Sequence, residues 1–317
     1  MGFFFSLLPL KLAFFLKIWY NYYMSIIQKI EGDWKMSTKT FKNTSEVSLK
    51  QLKAMQESGT LYITISDPET TPNSETYSIN DFIKIKQKIN EYTSGIPDIP
   101  ETDPNREKKI FTYLYMKMAQ NIKYDERASI ACDLTGYDRD AADWIITSAS
   151  NLTGGLFYGK SLCAGYSEIL RNLMAEAGIT AKFINGGALT RGEGTGSHAW
   201  NQVLLDGKYY NCDITNDADF LLEGLKAPYF LKSNDDFGEG KKHRYTKFPA
   251  KNPHLVEDAK ESVSDELQEQ LIEEQRQVLE SQKTQTKTSS SPKKSNTFID
   301  KLKNFLGINK SKGDDGR

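Results

Sequence analysis

Three cysteines and three histidines make up the whole supply of thiol nucleophiles and near-neutral bases in this 317-residue chain. They are Cys132, Cys163 and Cys212, and His198, His243 and His254. Cys163 lies in SLCAGYSEILRNLMAEAGI (161–179), where Ile169, Leu170, Leu173 and Met174 recur at helical spacing. The thiol therefore sits at or just before a helix N-terminus. Free backbone N–H groups and the positive end of the helix dipole favour a thiolate there. Cys132 and Cys212 are expected to be buried, inert thiols. His243 in KKHRY and His254 in NPHLV read as surface positions.

His198 stands in GSHAWNQVLLDGKYYNCDIT (196–215), which reads as two strands joined at Asp206-Gly207, a strong hairpin signal. With a two-residue turn Leu205 lies opposite Lys208, so His198 lies opposite Thr215 and Trp200 opposite Asp213. His198 and Trp200 then share a face, and Asp213 is the diagonal neighbour of His198 on that face, within reach for long side chains. A thiol at a helix start with an imidazole and a carboxylate on adjacent strands is a nucleophile–base–orienter arrangement. The cysteines show no CxxC spacing and do not form a disulfide framework. No Cys/His cluster and no acidic loop has metal-ligand spacing, so no metal and no cofactor are expected.

Several further elements must position these groups. SLKQLKAMQ (48–56) has helical spacing, LYITIS (61–66) alternates like a strand, and PETTPNSE (68–75) reads as a loop. SINDFIKIKQKINEY (78–92) places Phe82, Ile85 and Ile89 on one helical face, with Ser78 or Asn80 as N-cap. A proline-rich connector (95–104) leads into the amphipathic helix REKKIFTYLYMKMAQNI (106–122).

GKSLCAGYSEIL followed by GSHAWNQVLLDGKYYNCDITND resembles the transglutaminase-like superfamily. IKYDE (122–126) and APYFLKSNDDF with His243 (227–243) resemble flanking segments of that family, so the likeness covers residues 78–246. The resemblance implies an α+β, papain-like core: a catalytic cysteine at a helix N-terminus, packed on an antiparallel sheet that carries His and Asp. It implies Cys163 as nucleophile, His198 as base and Asp213 as orienter. The Cys163 backbone N–H would serve as an oxyanion donor, and Trp200 would shield the His–Asp pair from water. The implied activity is cysteine-dependent acyl transfer on protein or peptide amides through a thioester. Crosslinking, proteolysis and deamidation all stay open. So does the alternative of a non-catalytic binding or scaffold module that keeps the fold.

Composition bounds the rest. With 41 basic against 42 acidic side chains the net charge is −1, and no nucleic-acid partner is expected. The organisation reads as an apolar leader (1–36), a small N-terminal region (37–77), the catalytic domain (78–250) and a charged, then disordered tail (251–317). The leader lacks the charge and cleavage pattern of a signal peptide, and Pro9 and Lys11 interrupt its apolar run. The readings that remain for it are membrane association through residues 3–28 or export through this apolar N-terminus, or else a translation start at Met24 or Met36 that leaves a cytoplasmic protein. In the tail, Val263, Leu267 and Leu271 mark a solvated, acid-rich helix. KTQTKTSSSPKKSN (283–296) reads as disordered, and TFIDKLKNFL (297–306) as a short amphipathic pattern.

Overall fold

The computed structural model describes residues 37–133, 139–189, 195–238 and 258–289. The leader, His243, His254 and the 297–306 pattern lie outside the described residues, as does the disordered reading from residue 290 onward. The chain divides into two compact units, one ending at Gln275 and one beginning at Arg276.

The first unit is α+β. It opens with strand β1 (Thr38–Phe41), a short 3-10 helix (Thr44–Glu46) and helix α1 (Leu49–Glu57). Strands β2 (Tyr62–Ser66) and β3 (Ser74–Ser78) follow, then helices α2 (Ile79–Thr93) and α3 (Arg106–Asn121). Next come β4 (Lys123–Tyr124), α4 (Glu126–Asp133), α5 (Arg139–Ser150), α6 (Leu152–Tyr158) and β5 (Lys160–Ser161). Helix α7 (Cys163–Glu176) leads into β6 (Ala181–Leu189), β7 (Thr195–Leu205) and β8 (Lys208–Cys212). Helices α8 (Ile214–Leu222), α9 (Asn234–Gly238) and α10 (Asp265–Ser289) close the described chain.

The strands form three small sheets: β1 parallel to β2 with β3 antiparallel, β4 parallel to β5, and the antiparallel meander β6-β7-β8. The β7–β8 turn places Asp206 at φ 50° and Gly207 at φ 75°, the left-handed pair that matches the twist of a two-residue hairpin. It sets the register Leu205↔Lys208 through Asn201↔Cys212, as the spacing predicts. The second strand is shorter than expected. It stops at Cys212 because the Asp213 side chain accepts a hydrogen bond from the Thr215 N–H and caps α8.

Helix α7 is central. Ile169, Leu170, Leu173 and Met174 are fully buried, but so are Ser167, Glu168, Arg171 and Asn172 on its other faces. Buried polar groups need partners, and residues 37–77 provide many of them. The Thr44 N–H donates to Asn172 Oδ1 at 3.0 Å. Thr71 Oγ1 and Asn73 Nδ2 donate to Glu168 Oε1 at 2.6 and 3.0 Å. Arg171 closes the network through Glu168 Oε2 at 2.8 Å.

Other departures from the sequence reading are local. The 68–75 loop gives way to β3 at Ser74, which pairs with Ser66. Helices α4, α5 and α6 occupy 126–133, 139–150 and 152–158, for which the sequence offered no reading. The helix read in the tail continues to Ser289, into the stretch expected to be disordered. Gln and Lys are good helix formers, and the Thr284 hydroxyl bonds back to the Glu280 carbonyl at 3.0 Å. No helix among the described residues is long and apolar enough to cross a membrane.

Candidate active site

Cys163 is the first residue of α7, and the N-cap before it is Leu162. Leucine offers no side-chain oxygen, so no cap hydrogen bond covers the first N–H groups of the helix. The dipole end is left to whatever charge lies at Cys163. Its position is tightly held. The Leu162 N–H donates to the Ala149 carbonyl at 2.8 Å, and the Ser161 hydroxyl donates to that same carbonyl at 3.0 Å. The Tyr166 hydroxyl reaches the Ile122 carbonyl at 2.8 Å. Gly165 is required by close approach: a Cβ there would stand 2.2 Å from Ser161 Oγ and 2.4 Å from the Ala149 carbonyl oxygen.

His198 lies on β7 and meets both partners. Its Nε2 donates to Asp213 Oδ2 at 3.1 Å, which leaves Nδ1 for its hydrogen bond with the Cys163 thiol. Burial alone would lower the imidazole pKa, but the Asp213 charge and hydrogen bond, joined by Cys163, push it up to about 10. Burial would likewise raise the Cys163 thiol. It is overridden by the His198 hydrogen bond and charge and by the Ala199 backbone N–H, so the thiol is held below its ordinary range. The two directions share one cause, the hydrogen-bonded pairing of the Cys163 thiol with the His198 imidazole.

Asp213 is the most enclosed of the three, at 1% exposure. It sits at the N-cap of α8, one residue past the strand that was expected to carry it. Its Oδ1 accepts the Thr215 N–H at 3.1 Å, and Asn216 Nδ2 donates to Oδ2 at 2.6 Å beside the imidazole. The helix start therefore favours the carboxylate's charge while its side chain faces His198. Asn216 went unnoticed in the sequence. Its only signal is a position three residues after a capping Asp.

Trp200 stacks beside His198 with ring centroids 6.3 Å apart and packs with Ile184, Tyr229 and Phe237. Its indole N–H donates to Asn211 Oδ1 at 3.2 Å, away from the thiol. The ring can thus exclude water, but its N–H is already committed. Cys212 is buried and its thiol is pushed well up by burial, whereas Cys132 is exposed, contrary to the expectation of a buried thiol. Cys132 lies near the C-terminal end of the short helix α4, where no core covers it.

A cavity of about 490 Å³ opens over the pair. Its lining includes Cys163, Ala164, Ser197, His198 and Ala199, together with a second group, Pro72, Asn73, Ser74 and Glu75. The second group comes from the region expected to lie outside the catalytic domain. The size suits a side chain together with a short backbone segment. Among the described residues no group of three or more His, Cys, Asp or Glu could hold a metal ion.

No curated protein matches the chain by sequence. Among solved structures, a candidate cysteine protease from Cytophaga hutchinsonii is 12% identical, with a TM-score of 0.26, over 42% of this chain and 37% of that one. A TGase is 14% identical, with a TM-score of 0.27, over 53% and 48%. The chain thus spans less than half the length of either. The family model for the transglutaminase-like superfamily matches residues 90–214, a span that contains Cys163, His198 and Asp213. This chain carries a transglutaminase-like superfamily domain over residues 90–214.

Proposed function

We propose that this protein is a cysteine-dependent acyltransferase or hydrolase acting on amides of protein or peptide substrates. The observation that carries the reading is the pairing of a depressed Cys163 thiol with a His198 imidazole raised to about 10, itself bonded to Asp213 at 3.1 Å. A scaffold has no physical need of such a pair, because a buried ion pair is at best weak evidence of stability.

The chemistry follows from the pair. The Cys163 thiolate attacks the carbonyl carbon of the amide, and negative charge moves to the carbonyl oxygen. The N–H of Cys163, at the uncapped start of α7, is the donor assigned to that oxygen. The C–N bond then breaks, and the imidazolium gives its proton to the departing nitrogen, which leaves as ammonia or an amine. A thioester remains on Cys163. Water or a second amine attacks the thioester carbonyl, the now neutral imidazole takes its proton, and the thiolate is expelled. Asp213 holds the ring in place and stabilises its charged form throughout.

Incubation of the full-length protein with a glutamine-containing peptide tests this, with intact-mass detection of a thioester at Cys163. A Cys163-linked acyl adduct, absent from Cys163→Ala, is the expected result. Iodoacetamide labelling resolved by peptide mass spectrometry is the companion test. Cys163 reacting no faster than the exposed Cys132 at neutral pH would remove the catalytic reading and leave a scaffold.

A further inference from the structure

The lining of the Cys163 cavity includes a carboxylate that the acyl-transfer mechanism does not use. Glu75 stands on β3, at the edge of its sheet, and lines the same cavity as Cys163 and His198. The segment before it is built rather than loose: Thr71 and Asn73 are both hydrogen-bonded to Glu168, which is paired with Arg171. The Glu168 charge is thus neutralised by a guanidinium, and His198 is bonded to both Cys163 and Asp213. Glu75 differs. Its described hydrogen bond comes from the Tyr77 hydroxyl, and among the described residues no cation forms an ion pair with it.

We propose that Glu75 makes this cavity selective for a substrate bearing a cationic side chain, an ammonium or guanidinium, close to the reacting amide. The proposal rests on the acyl-transfer reading for its purpose, but not for its physics. A half-buried carboxylate without a cation is an incomplete pair, and a ligand cation completes it. The groups facing Glu75 act in both directions. Burial and the Glu168 charge raise its pKa to about 7, while the Tyr77 hydroxyl and the Arg171 charge lower it. A bound cation favours the ionised form, so the selectivity strengthens as pH rises through about 7. His198, raised to about 10, keeps its charge across that interval, and the neutral methyl reagent reports any change in the ionisation of Cys163 itself.

Charge-matched thiol reagents test this on the full-length protein. Cys163 is labelled with methanethiosulfonates carrying a trimethylammonium-ethyl, a sulfonato-ethyl or a methyl group, and the exposed Cys132 serves as reference for the intrinsic reactivity of each reagent. Relative to Cys132, the cationic reagent should outpace the anionic one at Cys163 by about tenfold near pH 8.5 and by less than about threefold near pH 6. Glu75→Gln should abolish the preference while leaving the methyl reagent's rate within about threefold, and Glu75→Asp should retain it. A preference that survives in Glu75→Gln, or that is absent from the unmodified protein, overturns the proposal. If the methyl reagent also labels Cys163 no faster than Cys132, it is the acyl-transfer reading that fails. Calorimetry of Cys163→Ala with n-butylammonium against n-butanol then decides the cation site alone: weaker ammonium binding in the Glu75→Gln double variant supports it, and equal binding refutes it.

Discussion

Replacing Asp213 by asparagine separates the roles of charge and shape at the His198 ring. Asparagine is nearly isosteric and is itself a good N-cap, so the Thr215 N–H bond that starts α8 is kept. What is lost is the charge 3.1 Å from Nε2, together with the acceptor at Oδ2, because the amide NH2 that replaces it cannot accept from His198 or Asn216. The imidazole stands at about 10 against an ordinary 6.5, a displacement worth about 5 kcal/mol. Asp213 is the leading favourable cause and Cys163 the next, so Asp213 carries at least half, about 2 kcal/mol or more, which is roughly thirtyfold or more in the ion-pair equilibrium. The sign at Cys163 is informative because two effects oppose. The Asp213 charge acts directly to raise the thiol pKa, yet it sustains the imidazolium that lowers it. The imidazolium is in direct hydrogen-bond contact and should win. Thiolate should therefore be lost in Asp213→Asn when pH falls below the ordinary thiol range. The assay is the iodoacetamide rate at Cys163 against pH, read by mass spectrometry beside Cys132. The variant should react about thirtyfold slower near pH 6.5 and within about threefold near pH 9.5, where thiolate forms unaided. A variant that reacts faster at low pH would show the direct charge effect dominating, and the pair described above would be wrong.

Three further substitutions follow from the same contacts. Gly165→Ala forces a Cβ against Ser161 and the Ala149 carbonyl; thermal unfolding should show a loss of about 1–3 kcal/mol, together with slower Cys163 alkylation as the helix start shifts. Arg171→Met strands the Glu168 carboxylate at 2–3% exposure, and urea unfolding should show about 3–5 kcal/mol of destabilisation. Trp200→Phe removes the indole N–H bonded to Asn211 and should cost about 1–3 kcal/mol in the same assay. Acyl transfer by Trp200→Phe should stay within about tenfold of the unmodified protein, since a lost oxyanion donor would cost about a hundredfold or more.

The parts of the site legible in the sequence are those governed by short-range rules. Asp206-Gly207 dictates a two-residue turn, the turn dictates the register, and the register brings His198 and Asp213 together, all within sixteen residues. Cys163 is similarly local, because the periodicity of α7 gives its start. The shortening of β8 was also local but was masked: Asp213 reads equally well as a strand residue or as an N-cap, and the competing hydrogen bond from Thr215 decides for the cap. What the sequence hid is long-range. Glu168, Arg171 and Asn172 look like the polar face of an amphipathic helix, yet they are buried because residues 42–73 fold across them. No periodicity could announce that, since the partners are about a hundred residues away and are mostly Thr and Asn, residue types equally at home in loops. The same packing carries Glu75 to the cavity. The chemistry-bearing residues and the rest of the cavity lining were therefore encoded in different ways. The first lie in contiguous motifs, the second in a polar seam between the N-terminal strands and α7. A seam of this kind has a mechanical consequence: Arg171, Glu168 and Asn73 join the helix that bears Cys163 to the loop preceding Glu75. Loosening the seam should alter which substrate charge is accepted before it alters whether the thiol reacts, because Cys163 is anchored independently through Ala149 and Ile122.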